Sequence, residues 1–348
     1  MSLSVWKLLT SKKSATWFAL LAIALVAVLP AVTPDYYLSA YNFTFLAVVG
    51  AIGLNLLTGL AGQVSIGTAA FLAIGGFFSA FLSRSFGVGL LIGVPLSGIA
   101  AAFVGLLIGL PSLRFRGFYL VLTTLALHFI VLFVAYQYQV NALGLEGLPL
   151  PVQRLGPITL GSELDWYFLL APAAIITVIA SANISRSKLG RAWIAVRDHD
   201  TAAAMIGIDV VRHKLLAFAF SSFLIGIAGS LAAYHLGNVS VDSYTLTLGV
   251  QYVAMIIIGG MGSTAGAVLG AIFVTQESYV IQAIVNALPF QNLTLSVFPI
   301  EGGVFGLIII AFLLFEPRGL IAIWRRIKAL INLRVTMWEA ANTSGVSA

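Results

Sequence analysis

A chain of 348 residues with 60% apolar and 9% charged side chains, a mean hydropathy of +1.04 and a net charge of +6 does not close as a water-soluble globule. The lack of cysteine excludes a disulfide framework and thiolate metal ligands, and the 4 histidines have no carboxylate cluster beside them to form a metal centre. What remains is an all-α, polytopic membrane helix bundle.

A bilayer core takes about 20 apolar residues per helical span. Apolar runs fall at 17–33, 38–60, 64–83, 86–110, 118–138, 166–183, 215–237, 246–259, 264–285 and 302–316, which predicts ten transmembrane helices. The runs are continuous rather than alternating, which excludes the strands of a barrel. Lys7, Lys12 and Lys13 ahead of the first run imitate a secretory signal, but no small-residue cleavage site follows, so a retained first helix is expected. With no room for a soluble domain, residues 1–348 read as a single transmembrane domain with a cytoplasmic segment at 184–214 and a cytoplasmic tail at 317–348.

The second and third runs meet in "GLNLLTGLAGQVSIGTAAFLAIGGFF", where Gly59, Gly62 and Gly67 weaken the helix and Asn55, Gln63, Ser65 and Thr68 add uncharged polar groups. Non-helical backbone at membrane depth is tolerated only inside protein or beside water. These four side chains therefore either cap broken helices or line a passage, unless the segment is an ordinary turn at the inner membrane surface. "GGMGSTAG" at 259–266 offers the same choice with Ser263 and Thr264. Each break is followed by a helix of small residues, a faint internal repeat of the kind that transporters use, which close helix packing explains equally well. Along the spans, ionisable groups are few: His128 and Glu277, neither part of a charge relay, and Glu277 has Gln276 and Gln282 at hand as partners. That scarcity argues against transport driven by protons or sodium.

Loop 139–165, rich in Gly, Pro and Leu, predicts an ordered outer cap with a short strand or turn pair. With the N-terminus inside, only Arg84 and Arg154 of the 18 basic residues fall outside, so both termini are expected in the cytoplasm and the charge is a topology signal rather than a nucleic-acid surface. The inner segment "SRSKLGRAWIAVRDHDTAAAMIGIDVVRHKLLAFAF", residues 185–220, places Ala195, Ala202, Ala203, Met205 and Ile206 beside Arg197, Asp198 and Asp200 before Gly207 ends the pattern. Asp198 or Asp200 is expected to cap a short amphipathic helix. Such a helix either rests on lipid or enters the groove of a cytosolic partner.

"AVRDHDTAAAMIGIDVVRHKLLAF" and "GLNLLTGLAGQVSIGTAAFLAIGGF", with "LPSLRFRGFYLVLTTLA", "IIIGGMGSTAGAVLGA" and "LLFEPRGLI" in the same order, resemble the permease subunits of branched-chain amino acid ABC importers, most closely the M-type subunit. The likeness covers residues 38–325. It implies a ten-helix permease of the type II kind in the bacterial inner membrane. Its implied partners are a second homologous permease, two ATPase subunits and a soluble substrate-binding protein. It also implies that residues 198–207 act as the coupling helix, so Arg197, Asp198, Asp200, Ala202, Ala203, Met205 and Gly207 are the ATPase-coupling candidates. Asn55, Gln63, Ser65, Thr68 and Ser263 are the candidates for the translocation path. One departure is Thr201, which stands before the paired alanines where many relatives have an acidic residue. The chain has no Lys directly after Gly, hence no G-x-x-x-x-G-K-[ST] loop; any ATP is expected on partner subunits, and the chain is not expected to be an enzyme. Branched-chain or other neutral amino acids are the expected substrates. Urea, short amides or aromatic acids are the alternatives, and an ion-coupled secondary transporter is the rival class.

Overall fold

A computed structural model describes residues 30, 33, 35–113, 117–143, 147–155, 158–287, 297–316, 319–322 and 326. The long helices are α1 (Asp35–Leu54), α2 (Thr68–Phe86), α3 (Leu90–Ser112), α4 (Phe118–Leu143) and α5 (Glu163–Arg186). Two short helices, α6 (Lys188–Asp198) and α7 (Asp200–Met205), precede α8 (Val210–Leu236), α9 (Leu246–Gly259), α10 (Thr264–Ala287) and α11 (Val297–Phe315). Among the described residues, 8 helical segments are long and apolar enough to cross a membrane, from Tyr36–Leu60 to Thr264–Ile281. The 19-residue α11 stands where the last expected span falls. Of the expected span at 17–33, all but residues 30 and 33 lie outside the described residues.

Helix α1, continued by one π-helical stretch, Asn55–Leu60, is the axis of the bundle, with 89% of its best apolar window buried by α5, α8, α9 and α10. Lipid supplies no hydrophobic drive between apolar helices, so their association depends on close backbone approach through small residues. Gly75 of α2 lies against the backbone of Gly226 in α8, Gly226 in turn against Ala101 of α3, and Gly229 against Leu72. A methyl group at any of these sites would push two helices apart.

The two ends of the bundle differ. At one end the expected cap is present: β1 (Leu148–Pro149) pairs antiparallel with β4 (Asn238–Val239), and β2 (Arg154–Leu155) pairs antiparallel with β3 (Ile158–Thr159). Gln153 Oε1 accepts from Leu90 N–H at 3.0 Å and Gln139 Oε1 from Val241 N–H at 2.9 Å, tying the cap to the helix ends below it. Ser162 and Asp165 form a capping box that starts α5. Close by, Asn42 Nδ2 donates to Glu163 Oε2 at 2.8 Å and the His235 ring meets the same oxygen at 3.1 Å, joining α1, α5 and α8. Arg84 and Arg154 are at this end; the basic segment 186–214 is at the other, as the charge count along the chain requires.

Candidate functional site: a junction of broken helices at the basic end

The first break begins inside α1. At Asn55 the helix widens to π geometry through Leu60, and the chain leaves it at 61–67, where Gly62 takes φ +70°. Several polar groups of this turn are bonded within it or to its neighbours. Gln63 N–H donates to the Leu57 carbonyl at 3.0 Å, Thr58 Oγ1 to the Gln63 carbonyl at 3.1 Å, and Ile66 N–H to Thr124 Oγ1 at 3.2 Å. Ser65 Oγ accepts from Gly67 N–H at 3.3 Å. Gln63 Nε2 reaches the Lys214 carbonyl at 3.4 Å. Thr68 is the first residue of α2, buried, while Gly67 holds the N-cap position without a side-chain bond.

The second break, between Gly259 and Ser263, lies directly against the first. Asn55 Oδ1 accepts from Gly262 N–H at 2.8 Å, and Gly59 approaches Gly262 so closely that a Cβ on it would collide with the Gly262 backbone nitrogen. Ser263 caps α10 by accepting from Gly266 N–H at 3.2 Å, and Thr264 Oγ1 lies 3.0 Å from Ser181 Oγ of α5. Gly319, after α11, packs on the backbone of Ile258 and Gly260. Asn55, Gln63, Ser65 and Thr68 are all buried; Asn55, Gln63 and Ser65 serve as turn and contact groups at the breaks, the Thr68 hydroxyl has no hydrogen-bond partner among the described residues, and Gln63 borders a cleft.

The basic segment roots itself in this junction. Trp193 of α6 is fully buried with Leu56, Leu57, Leu60 and Ala61 of the first break and Ala217 and Phe218 of α8, and its indole N–H donates to the His213 carbonyl at 2.9 Å. One turn on, the Arg197 stem lies on Gly62, and Arg197 Nη1 donates to the Gly59 carbonyl at 2.8 Å. Arg197 Nε and Nη2 both reach Asp198 Oδ1, at 3.0 and 2.9 Å.

The amphipathic stretch expected from Ala195 to Ile206 is split between two helices. His199 is extended at φ −153°, so Asp198 ends α6 and α7 begins at Asp200. Neither aspartate caps as expected: His199 holds the N-cap position of α7 without a side-chain bond, Asp198 is engaged by Arg197, and Asp200 Oδ2 pairs with Lys214 Nζ at 3.6 Å from the first turn. Gly207, at φ +86°, closes α7: its N–H donates to the Ala204 carbonyl and that of Ile208 to the Ala203 carbonyl, each at 3.0 Å. Of the expected apolar face, Ala203 is 2% exposed and turned into the protein, whereas Met205 and Ile206 are 89% and 75% exposed and Ala202 is exposed with them. A helix of under two turns that must bury one alanine to stay docked leaves the residues beside it outward.

Between the first break, the α6–α7 corner and α8 lies a cleft of about 300 Å³ bordered by Gln63, Arg197, Asp198, Asp200 and Lys214. It carries both signs of charge. Among the described residues no group of three or more His, Cys, Asp or Glu side chains could hold a metal ion. Sequence patterns alone did not reveal Trp193 as the anchor or Arg197 as an inward contact; the available signal was the spacing of Trp193, Val196 and Arg197 on one helical face, all three meeting the bundle.

Apolar helices packed through glycine, two of them broken at one end where a basic surface segment grips them, define a multi-pass membrane protein. The chain belongs to the family described as the branched-chain amino acid transport system permease component, whose model matches residues 36–313. It is 31% identical over 259 residues to the high-affinity branched-chain amino acid transport system permease protein LivM of Salmonella typhimurium, and equally to that of Escherichia coli K12. Those alignments take in 66% of this chain and 60% of the LivM chains, so the match spans about three-fifths of the length of these relatives. The chain is also 29% identical over 288 residues to the autoinducer 2 import system permease protein LsrC of Enterobacter sp. strain 638, covering 77% of this chain and 79% of that one. No solved structure gives a significant match.

Proposed function

We propose that this chain is the permease subunit of an ATP-driven ABC importer for branched-chain or other neutral amino acids. It forms the translocation path with a second, homologous permease, receives substrate from a soluble binding protein and couples to two cytoplasmic ATPase subunits, which bind the ATP. In this reading it lies in the bacterial inner membrane with both termini in the cytoplasm. The observation that carries the proposal is the form of the basic segment: Met205 and Ile206 stand exposed at the tip of α7, while Trp193 and Arg197 fix the same segment to the bundle. An apolar tip on a rooted stalk suits insertion into the groove of a partner. Asn55, Gln63, Ser65, Thr68 and Ser263 then hold open the inner mouth of the path, with Gln63 at the cleft. A zwitterion whose charges meet helix ends and backbone groups fits a path of uncharged polar residues. The likeness to LsrC favours, as a second reading, a substrate other than an amino acid carried by the same machinery.

The test is co-purification followed by transport in reconstituted vesicles. Met205→Asp together with Ile206→Asp is expected to release the ATPase subunits, because charge is driven into an apolar contact; Gln63→Leu is expected to retain them while lowering uptake. Uptake is expected to need ATP and the binding protein and to ignore imposed proton or sodium gradients. Uptake by this chain alone under an ion gradient would replace the ABC reading with that of a secondary transporter.

A further inference from the structure

We propose that Arg197 is the positioning residue that makes the two helix breaks and the coupling segment move as one body, so that displacement of α6 and α7 reaches both breaks together. The inference rests on the coupling reading above and goes beyond it in naming the contact.

Arg197 is exposed, with 37% of its side chain open to solvent, yet its stem and Nη1 meet the bundle. The last carbonyls of a helix have no partner within it and carry the negative end of its dipole. Arg197 Nη1 fills that role at the Gly59 carbonyl, 2.8 Å away, while its stem covers Gly62 so closely that any side chain there would displace it. Asp198 holds Nε and Nη2, which fixes the plane of the guanidinium and leaves Nη1 aimed at the break. Lysine has one nitrogen and cannot make both contacts in this geometry.

The second break follows from the first. Gly59 lies on Gly262, and Asn55 Oδ1 accepts the Gly262 N–H, so Arg197 grips a point to which the start of α10 is already joined. Its guanidinium is also near Gly262 itself. Asn55 Nδ2 is buried in this junction with no hydrogen-bond partner among the described residues. A buried donor without an acceptor is costly where it persists, and is accounted for if a second arrangement of the junction supplies the acceptor. The stretch under that contact, Asn55–Leu60, is π-helical, a form found frequently at functional sites.

Two measurements test this on the full chain. In lipid nanodiscs without partners, Arg197→Lys is expected to raise backbone amide exchange about tenfold both at 61–67 and at 260–266, the factor lost with one charge-assisted hydrogen bond. A change confined to the first break, or none, overturns the inference. In the assembled transporter, Arg197→Lys is expected to keep its ATPase subunits and to hydrolyse ATP, but with uptake per ATP reduced several-fold. An unchanged uptake-to-hydrolysis ratio, with only thermal stability lowered, would make Arg197 a helix cap and nothing more. If the unsubstituted chain holds no ATPase subunits, the coupling reading fails on its own, while the exchange measurement still decides whether Arg197 joins the two breaks.

Discussion

Single residues at the junction divide into those that permit contact and those that hold it. Gly59 permits: a Cβ there would enter the backbone of Gly262, so Gly59→Ala is expected to cost about 1–3 kcal/mol through overpacking, seen as a lowered melting temperature in detergent. Gly207→Ala is the contrasting case. Nothing lies within 4 Å of a Cβ at Gly207, so its cost is the left-handed backbone alone, about 1 kcal/mol, and confined to α7. Ala203 illustrates how position on a short helix changes a substitution's meaning. As part of a docking face, Ala203→Arg would read partner binding; buried at 2% exposure, it reads the seating of α7 on its own bundle. The variant is expected to speed protease cleavage within 199–208 in the chain alone, before any partner is present.

Among elements, α6 does the anchoring and α7 presents. The buried face of α6 is Trp193 and Val196, with Gly190 tucked against the Ile184 carbonyl at the corner from α5. Trp193→Ala removes a large, fully buried side chain and its bond to the His213 carbonyl, a loss of about 3–5 kcal/mol. Much of that falls on the docking of α6, so trypsin is expected to cut at Lys188 and Arg191 far faster in the variant, with the remaining helices intact by circular dichroism. Unchanged cleavage would show that α6 is held by its connections rather than by Trp193. The broken helices behave as a pair for a related reason. Each leaves helix-end groups that need partners, and the cheapest partners available were those of the other break and the arginine between them.

For the whole molecule, the segregation of two ends is the main consequence. The cap built by 147–155, 158–161 and 238–241 closes one end, while both breaks, the basic segment and Gly319 gather at the other. The absence of cysteine makes the orientation directly measurable. In intact cells a single cysteine at position 154 is expected to react with a membrane-impermeant maleimide, and one at position 200 only after permeabilisation. The reverse pattern would invert the topology.

Several features were decided along the chain because they depend on neighbours in sequence. Hydropathy set the spans, since a run of about 20 apolar residues has few stable places but a bilayer. Basic residues marked one end, and Gly62 and Gly207 marked turns where left-handed backbone is needed. The five family blocks were legible for the same reason. Tertiary structure alone decided what those blocks do to each other. Asn55 and Gly262 are 207 positions apart and Arg197 and Gly59 are 138 apart, and no periodicity along a chain encodes which helix-end carbonyl an arginine will reach. Asp198 and Asp200 had the right chemistry for a cap but were drawn to Arg197 and Lys214, because a charged partner close in space outweighs a backbone N–H next in sequence. The same competition turned Ala203 inward and left Met205 and Ile206 outside: a helix this short is oriented by what it packs against, which only the folded bundle supplies.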